Sequence, residues 1–152
     1  VARLLAIAIK PHGEQAMREL TTAHLGCALG VEGDSRGQPG PRQVTLLSLA
    51  HWQAACDELG IVLPWTGRRA NLLVDALALQ QQVGAQIHIG EAVLEVTGEA
   101  DPCQRMEALH PGLFMALGKG WRGGVTCRVV RDGPLVVGAE VVLAWPPLGP
   151  RR

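Results

Sequence analysis

Gln86-Ile87-His88-Ile89-Gly90-Glu91-Ala92-Val93-Leu94-Glu95-Val96-Thr97 is the stretch on which the reading of the fold turns. Two runs of alternating apolar and polar residues flank Gly90-Glu91, the pattern of a β-hairpin. Val125-Thr126-Cys127-Arg128-Val129-Val130 repeats the same period of two, with Val125, Cys127 and Val129 on one side. Working outward, residues 3–9 (Arg-Leu-Leu-Ala-Ile-Ala-Ile) read as a strand buried on both faces and ended by Pro11-His12-Gly13. Residues 43–47 and 71–74 read as two more strands. Arg131-Asp132-Gly133-Pro134 is a turn, and residues 135–144 close the sheet.

Helical spacing is sparser. Ser48 caps a helix running to Glu58, with Gly60 as its stop and Leu49, Trp52, Cys56 and Leu59 as its core face. Met17, Leu20 and His24 predict a short helix within residues 14–25. Asp101-Pro102 breaks the strand pattern and starts a helix in which Cys103, Met106 and Leu109 share a face; Pro111-Gly112 interrupts it and residues 113–117 resume it. Residues 30–41, with four glycines and two prolines, form a long loop. The fold class predicted is mainly β (β-rich α+β): a compact, barrel-like arrangement with a few short peripheral helices. It is expected as a single domain over 1–152, with its core at about 30–143 and a flexible Pro-rich tail at 145–152.

The bulk numbers agree. In 152 residues there are 19 Gly and 10 Pro, well above the usual combined share of about 12%, so turns and short elements dominate over a helical bundle. Fourteen basic residues balance fourteen acidic ones, against a general nucleic-acid binder. No apolar run reaches the ~18–20 residues of a membrane helix, and no signal-peptide pattern is present, which makes a cytoplasmic protein without membrane or nucleic-acid partners the expectation. Cys27, Cys56, Cys103 and Cys127 show no C-x-x-C pair or zinc spacing and read as reduced thiols.

One cysteine stands apart. Cys56 and Cys127 fall in apolar patterns and Cys27 lies between Gly26 and Ala28; all three read as small core hydrophobes. Cys103 follows Pro102 at a strand-to-helix junction. In the first turn of a helix, amide donors would face its sulfur and favour the thiolate, with Arg105 adding positive charge and Asp101 and Glu107 offsetting it. Arg42, Arg68, Arg69, Arg105 and Arg122 all sit at junctions between loops and elements, and Arg122-Gly123-Gly124 offers a guanidinium followed by flexible amides, a cradle for an oxyanion. Glu32 and Asp34 in the glycine-rich loop are placed to orient arginines. His12, His24, His51, His88 and His110 form no ligand pair by spacing.

Taken together, Glu32-Gly33-Asp34, Arg42-Gln43-Val44, Arg69-Ala70-Asn71-Leu72-Leu73-Val74, Val83-Gly84, Ile89-Gly90-Glu91-Ala92, Pro102-Cys103-Gln104-Arg105-Met106-Glu107, Gly123-Gly124-Val125 and Val137-Gly138 resemble the MOSC domain, the C-terminal domain of molybdenum-cofactor sulfurases, also found as small stand-alone bacterial proteins. The resemblance spans about residues 30–143, and Pro-Cys-x-Arg-Met-Glu after Ile-Gly-Glu-Ala is its most telling part. It implies a pocket around Cys103 and the molybdenum cofactor (molybdopterin) as its ligand.

On that resemblance Cys103 is the catalytic residue and the metal ligand, or else a persulfide carrier. Arg42, Arg69, Asn71, Arg105, Arg122, Gly123, Gly124 and Asp34 are the implied cofactor-binding set, with Asn71 hydrogen-bonding pterin edges or bracing the cysteine loop. The chain has no aminotransferase-like part and hence no pyridoxal phosphate site. Three readings follow: a molybdenum-cofactor oxidoreductase acting on N-hydroxylated substrates, a persulfide sulfur carrier for metal–sulfur centres, and a binding module that kept only the fold. The first two imply a redox or sulfur-donor protein as partner.

Overall fold

Adjacent residues of strand β5 (Val44–Ser48) enter two different cores. Leu46 joins the larger apolar cluster, with Leu4, Ile7, Leu72, Ile87, Leu94 and Val125. Leu47 joins a smaller one, with Trp52, Cys56, Leu73, Met106 and Leu113. A strand sends successive side chains to opposite faces, so one face of β5 and of β6 (Leu72–Val74) lines a barrel while the other receives helices.

The computed structural model describes residues 1–145. Seven strands form a ring in the order β11-β7-β8-β9-β5-β6-β1: β1 (Ala2–Ile9), β5, β6, β7 (Gln86–Ile89), β8 (Ala92–Glu99), β9 (Val125–Arg131) and β11 (Glu140–Ala144). Pairing of Ala2 with Val141 closes the ring between β1 and β11. All neighbours are antiparallel except β5 and β6. The short β2 (Arg18–Leu20) adds outside β1, and β10 (Gly133–Val136), β3 (Thr22–Gly26) and β4 (Gly30–Val31) form a separate three-stranded sheet. This is the mainly β, barrel-like architecture expected. Closure gives each ring strand two neighbours, and β2 covers the stretch Ile7–Ile9 of β1 beyond its pairing with β11, which is how a small β protein limits edge pairing with other chains.

Three helices pack outside: α1 (Leu49–Leu59), α2 (Gln104–Leu109) and α3 (Leu113–Leu117). α1 starts after Ser48, whose hydroxyl makes no capping bond, and ends at Gly60 in the left-handed conformation, φ 66°. No helix among the described residues is long and apolar enough to cross a membrane.

The hairpin at Gly90-Glu91 and the inward row Val125, Cys127 and Val129 form as expected. Four expectations change. Residues 14–25 contain no helix; they form β2 and β3, because Leu20 pairs with Ile7 and Ala23 with Leu135. Two apolar residues and a histidine at helical spacing are a weaker claim than two neighbouring strands with open hydrogen-bonding edges. β1 is buried on both faces only from Ile7 to Ile9, since Leu5 is exposed. The expected turn at 131–134 is a crossing from the barrel to the second sheet, with Asp132 alone between β9 and β10. Residues 135–144 are accordingly two strands, and β11 alone closes the barrel. The tail expected at 145–152 lies, from residue 146 on, outside the described residues.

Candidate functional site

The chain leaves the barrel at the end of β8, and Ala100-Asp101-Pro102 carries it to Cys103 at the mouth. Cys103 is exposed and stands at the N-cap of α2 with extended backbone, φ −121° and ψ 174°, rather than in the first turn as expected. α2 has only six residues, so the stacked peptide dipoles invoked from the sequence are few. The positive surroundings of the sulfur come instead from arginines, Arg105 on α2 itself and the others from elsewhere in the chain.

Arg68 holds this loop. Its side chain is buried at 6% exposure; Nε donates to the Gly123 carbonyl at 3.0 Å, and Nη2 to the Ala100 and Asp101 carbonyls at 2.7 and 3.3 Å. Burial, and secondarily the charge of Arg42, push the Arg68 guanidinium below its ordinary pKa, while Cys103, Asp101 and Glu99 pull it upward. Arg68 therefore ties the strand end before Cys103 to the loop before β9.

Four more arginines gather around the thiol. Arg36, Arg42, Arg69 and Arg105 line, with Cys103, a cavity of about 530 Å³ whose other wall is the apolar row Ala100, Met106, Ala108 and Leu109. Asp34, its side chain 1% exposed, anchors Arg69 through Oδ1 at 3.0 Å. Its carboxylate also accepts the Lys10 amide at 2.8 Å and the Arg36 amide at 3.2 Å. The buried Nε of Arg69 has no partner, an orphan donor at the cavity wall. Burial lowers the pKa of Arg36, and the charges of Arg69, Arg105 and, least, Arg42 lower it further against Asp34, a measure of how closely these groups crowd. Among the described residues Arg36, Arg42 and Arg105 have no acidic ion-pair partner.

A second cavity of about 650 Å³ adjoins the first, sharing Arg36, Arg42, Thr45 and Arg69, and adding Asn71 and Gln43. Asn71 is buried, and its amide is spent on the barrel: Nδ2 donates to the Ala8 carbonyl at 3.2 Å and Oδ1 accepts the Thr45 amide at 3.1 Å. It staples β1 to β5 and does not brace the cysteine loop. Gln43, which the sequence left as a motif member without a role, fixes the glycine-rich loop. Its Nε2 donates to the Cys27 and Gly37 carbonyls at 2.9 and 3.1 Å and its Oε1 accepts the Val129 amide at 2.9 Å.

The expected convergence of the Arg122–Gly124 segment on Cys103 does not occur. Arg122 donates to Glu58 at 2.9 Å and to the Ala116 carbonyl at 3.3 Å, on the helical side of the molecule. Gly123 is a close-approach position, since a Cβ there would meet the Ala100 carbonyl at 2.8 Å; one at Gly124 (φ +96°) would meet the Leu46 carbonyl at 2.4 Å. Both glycines pack the backbone beneath the site and line neither cavity. Glu107 is also engaged elsewhere, accepting the Gly112 and Phe114 amides at the start of α3.

The other thiols separate by environment. Burial pushes the Cys56 and Cys127 thiols up, away from thiolate. Cys27 is exposed rather than a core residue, and its hydrogen bond to Asp132, followed by desolvation, pushes it up as well. Among the described residues no three His, Cys, Asp or Glu side chains group as a metal site. What sequence reasoning missed is Arg36 and Lys10. Both were legible only as basic residues in or beside loops, and nothing local says that Arg36 lines the Cys103 cavity or that Lys10 lines a neighbouring one with Arg69 and Arg105.

The family model of the MOSC domain matches residues 34–142 of this chain. Among solved structures, the YuaD protein from Bacillus subtilis is similar with a TM-score of 0.77 at 18% identity, over 94% of this chain and 96% of that one. YiiM from Geobacillus stearothermophilus is similar with a TM-score of 0.75 at 17% identity, over 95% of this chain and 75% of that one. YiiM from Escherichia coli gives 0.68 at 20% identity, over 93% and 69%. At these identities the likeness is one of fold. No curated protein matches the sequence significantly.

Proposed function

The chain belongs to the MOSC domain family, and we propose that it binds the molybdenum cofactor in the arginine-lined cavity at Cys103. MOSC domains are associated in general with binding this cofactor or handling its sulfur. The observation that carries the reading is a single exposed thiol at the wall of a cavity that also presents five guanidinium groups and an apolar face.

The residues fit the group. A thiolate is a soft donor suited to a thiophilic metal. The orphan Nε of Arg69, with Arg36 and Arg42 free of acidic partners, suits a phosphate. Met106, Ala108 and Leu109 offer a wall for a flat heterocycle. Cys103 would hold the metal, Arg36, Arg42 and Arg69 the phosphate, and Asp34 would keep Arg69 extended toward it. The cofactor, when bound, supplies oxygen-atom transfer of the kind that reduces N-hydroxylated compounds. The protein's part is to bind, orient and set the local charge. Asn71, Arg68 and Gln43 act as positioning residues, by stapling the strands and loops that carry the cavity.

The test is native mass spectrometry with metal analysis after expression in a host that makes the cofactor. Molybdenum at one equivalent, lost in Cys103→Ser, supports the proposal. A Cys103 mass increased by one sulfur atom, without metal, replaces it with the persulfide carrier. An unmodified protein without metal replaces it with the binding module.

A further inference from the structure

The geometry points to a second oxyanion subsite beside the Cys103 cavity, distinct from the phosphate position proposed above, in a third cavity lined by Lys10, Thr66, Arg69 and Arg105. This inference rests on that proposal for the assignment of the first position. This third cavity has a volume of about 340 Å³ and shares Gly67, Arg69 and Arg105 with the Cys103 cavity but only Arg69 with the Asn71 cavity. Arg69 lines all three cavities, while Arg42 lines only the first two and Lys10 only the third. The Cys103 cavity thus shares basic residues with both of its neighbours: Arg36, Arg42 and Arg69 with the Asn71 cavity, and Arg69 and Arg105 with the Lys10 cavity.

Charge gives the reason for two anions. Lys10, Arg36, Arg42, Arg68, Arg69 and Arg105 line these chambers, against three carboxylates: Asp101, Asp34 on Arg69, and Glu99, which acts on Arg68. The surplus of three positive charges lies in a chain whose formal net charge is zero, so it is a local concentration and not a general basicity. A phosphate monoester carries a charge of about −2 at neutral pH. One such group leaves positive charge uncompensated, and a second anion can take it up. Among the described residues neither Lys10 nor Arg105 is in an ion pair, and Thr66 and Gln15 add neutral donors to the same wall. The ligand class is therefore a pair of phosphate-like groups that share Arg69, carried either by two separate molecules, the cofactor and an anionic substrate, or by one diphosphate-bearing molecule.

The experiment uses inorganic tungstate as a phosphate mimic, soaked into crystals of the whole chain and located by anomalous scattering. Isothermal titration with inorganic phosphate and with pyrophosphate accompanies it. Two tungstate positions are expected, one against Arg36, Arg42 and Arg69 and one against Lys10, Arg69 and Arg105. Lys10→Gln, which leaves the backbone amide on Asp34 intact, should remove only the second. It should weaken one of two phosphate classes by about tenfold and leave the other within about twofold, as expected for loss of one charge-assisted contact. Pyrophosphate binding at one per chain assigns both positions to one molecule; two per chain assigns them to two. A single tungstate position at Arg42, or a Lys10→Gln protein with unchanged phosphate binding, overturns the inference. Its failure is separable from that of the cofactor proposal, because molybdenum loading is read independently of tungstate occupancy at Lys10.

Discussion

Arg68 Nη2 donates to the Ala100 carbonyl at 2.7 Å, three residues before Cys103, while Nε of the same guanidinium donates to Gly123 at 3.0 Å. One buried side chain thereby couples the end of β8 to the start of β9 and fixes where the thiol emerges. Arg68→Lys keeps the charge but loses the planar fork that serves several carbonyls at once. It should lower stability by about 1–3 kcal/mol, the cost of leaving buried polar groups unpaired. Backbone amides of residues 100–106 should exchange faster in hydrogen-exchange mass spectrometry. Unchanged protection there would remove Arg68 from its positioning role.

Cys103 should alkylate fastest of the four cysteines with iodoacetamide at neutral pH. Cys56 and Cys127 are buried and their thiols are pushed up by desolvation. Cys27 is exposed, but its bond to Asp132 holds the proton on sulfur. The expected order is Cys103, then Cys27, then the buried pair, read by peptide mass spectrometry over time. Labelling of Cys27 ahead of Cys103 would contradict it.

The same contrast should divide stability from function. Cys103→Ser exchanges one small exposed group for another, and a change of within ~0.5 kcal/mol is expected. Cys127, fully buried between Val125 and Val129, has only apolar neighbours in the barrel cluster. Cys127→Ser buries a hydroxyl there and should cost about 1–3 kcal/mol. Denaturant melts of both variants decide this, and equal midpoints would show that the barrel interior satisfies the new hydroxyl.

Gly124→Ala should be the most damaging small substitution near the site. Its φ of +96° is a conformation L residues avoid, and the new Cβ would stand 2.4 Å from the Leu46 carbonyl. A loss of at least about 2 kcal/mol is expected. A melting temperature within a degree or so of wild type would mean that β5 and β9 separate without cost.

Acid should destabilise the fold before its carboxylates titrate. His51 and His88 are both held below the ordinary histidine pKa, mainly by burial and secondarily by Arg122 and Arg131 respectively. A folded pKa below the unfolded one means the folded state resists protonation. The stability is therefore complete above the unfolded pKa and is lost as the pH falls through it toward the folded value. The melting temperature should decline between about pH 7 and 5. His51→Asn should flatten part of that slope, and a slope unchanged in this variant would assign the loss to other groups.

Local sequence by itself determined the elements whose pattern is short-range: the hairpin at Gly90-Glu91, the inward row of β9, α1 with its Gly60 stop, and the break at Asp101-Pro102. It also singled out Cys103, because a cysteine after proline at a junction differs visibly from cysteines inside apolar runs. The periodicity of residues 14–25 misled, since edge strands take their structure from the neighbours they pair with. Only the tertiary structure decided which arginines share a cavity. Arg36, Arg69 and Arg105 are brought together by barrel closure over separations no local pattern records, whereas Arg122, equally junctional in sequence, is turned away to Glu58. Asn71 shows the same limit: its amide satisfies Ala8 and Thr45 because closing β1 beside β6 leaves those backbone groups facing it. Side-chain type fixes what a residue can bond, but the path of the chain around the barrel fixes what is within reach.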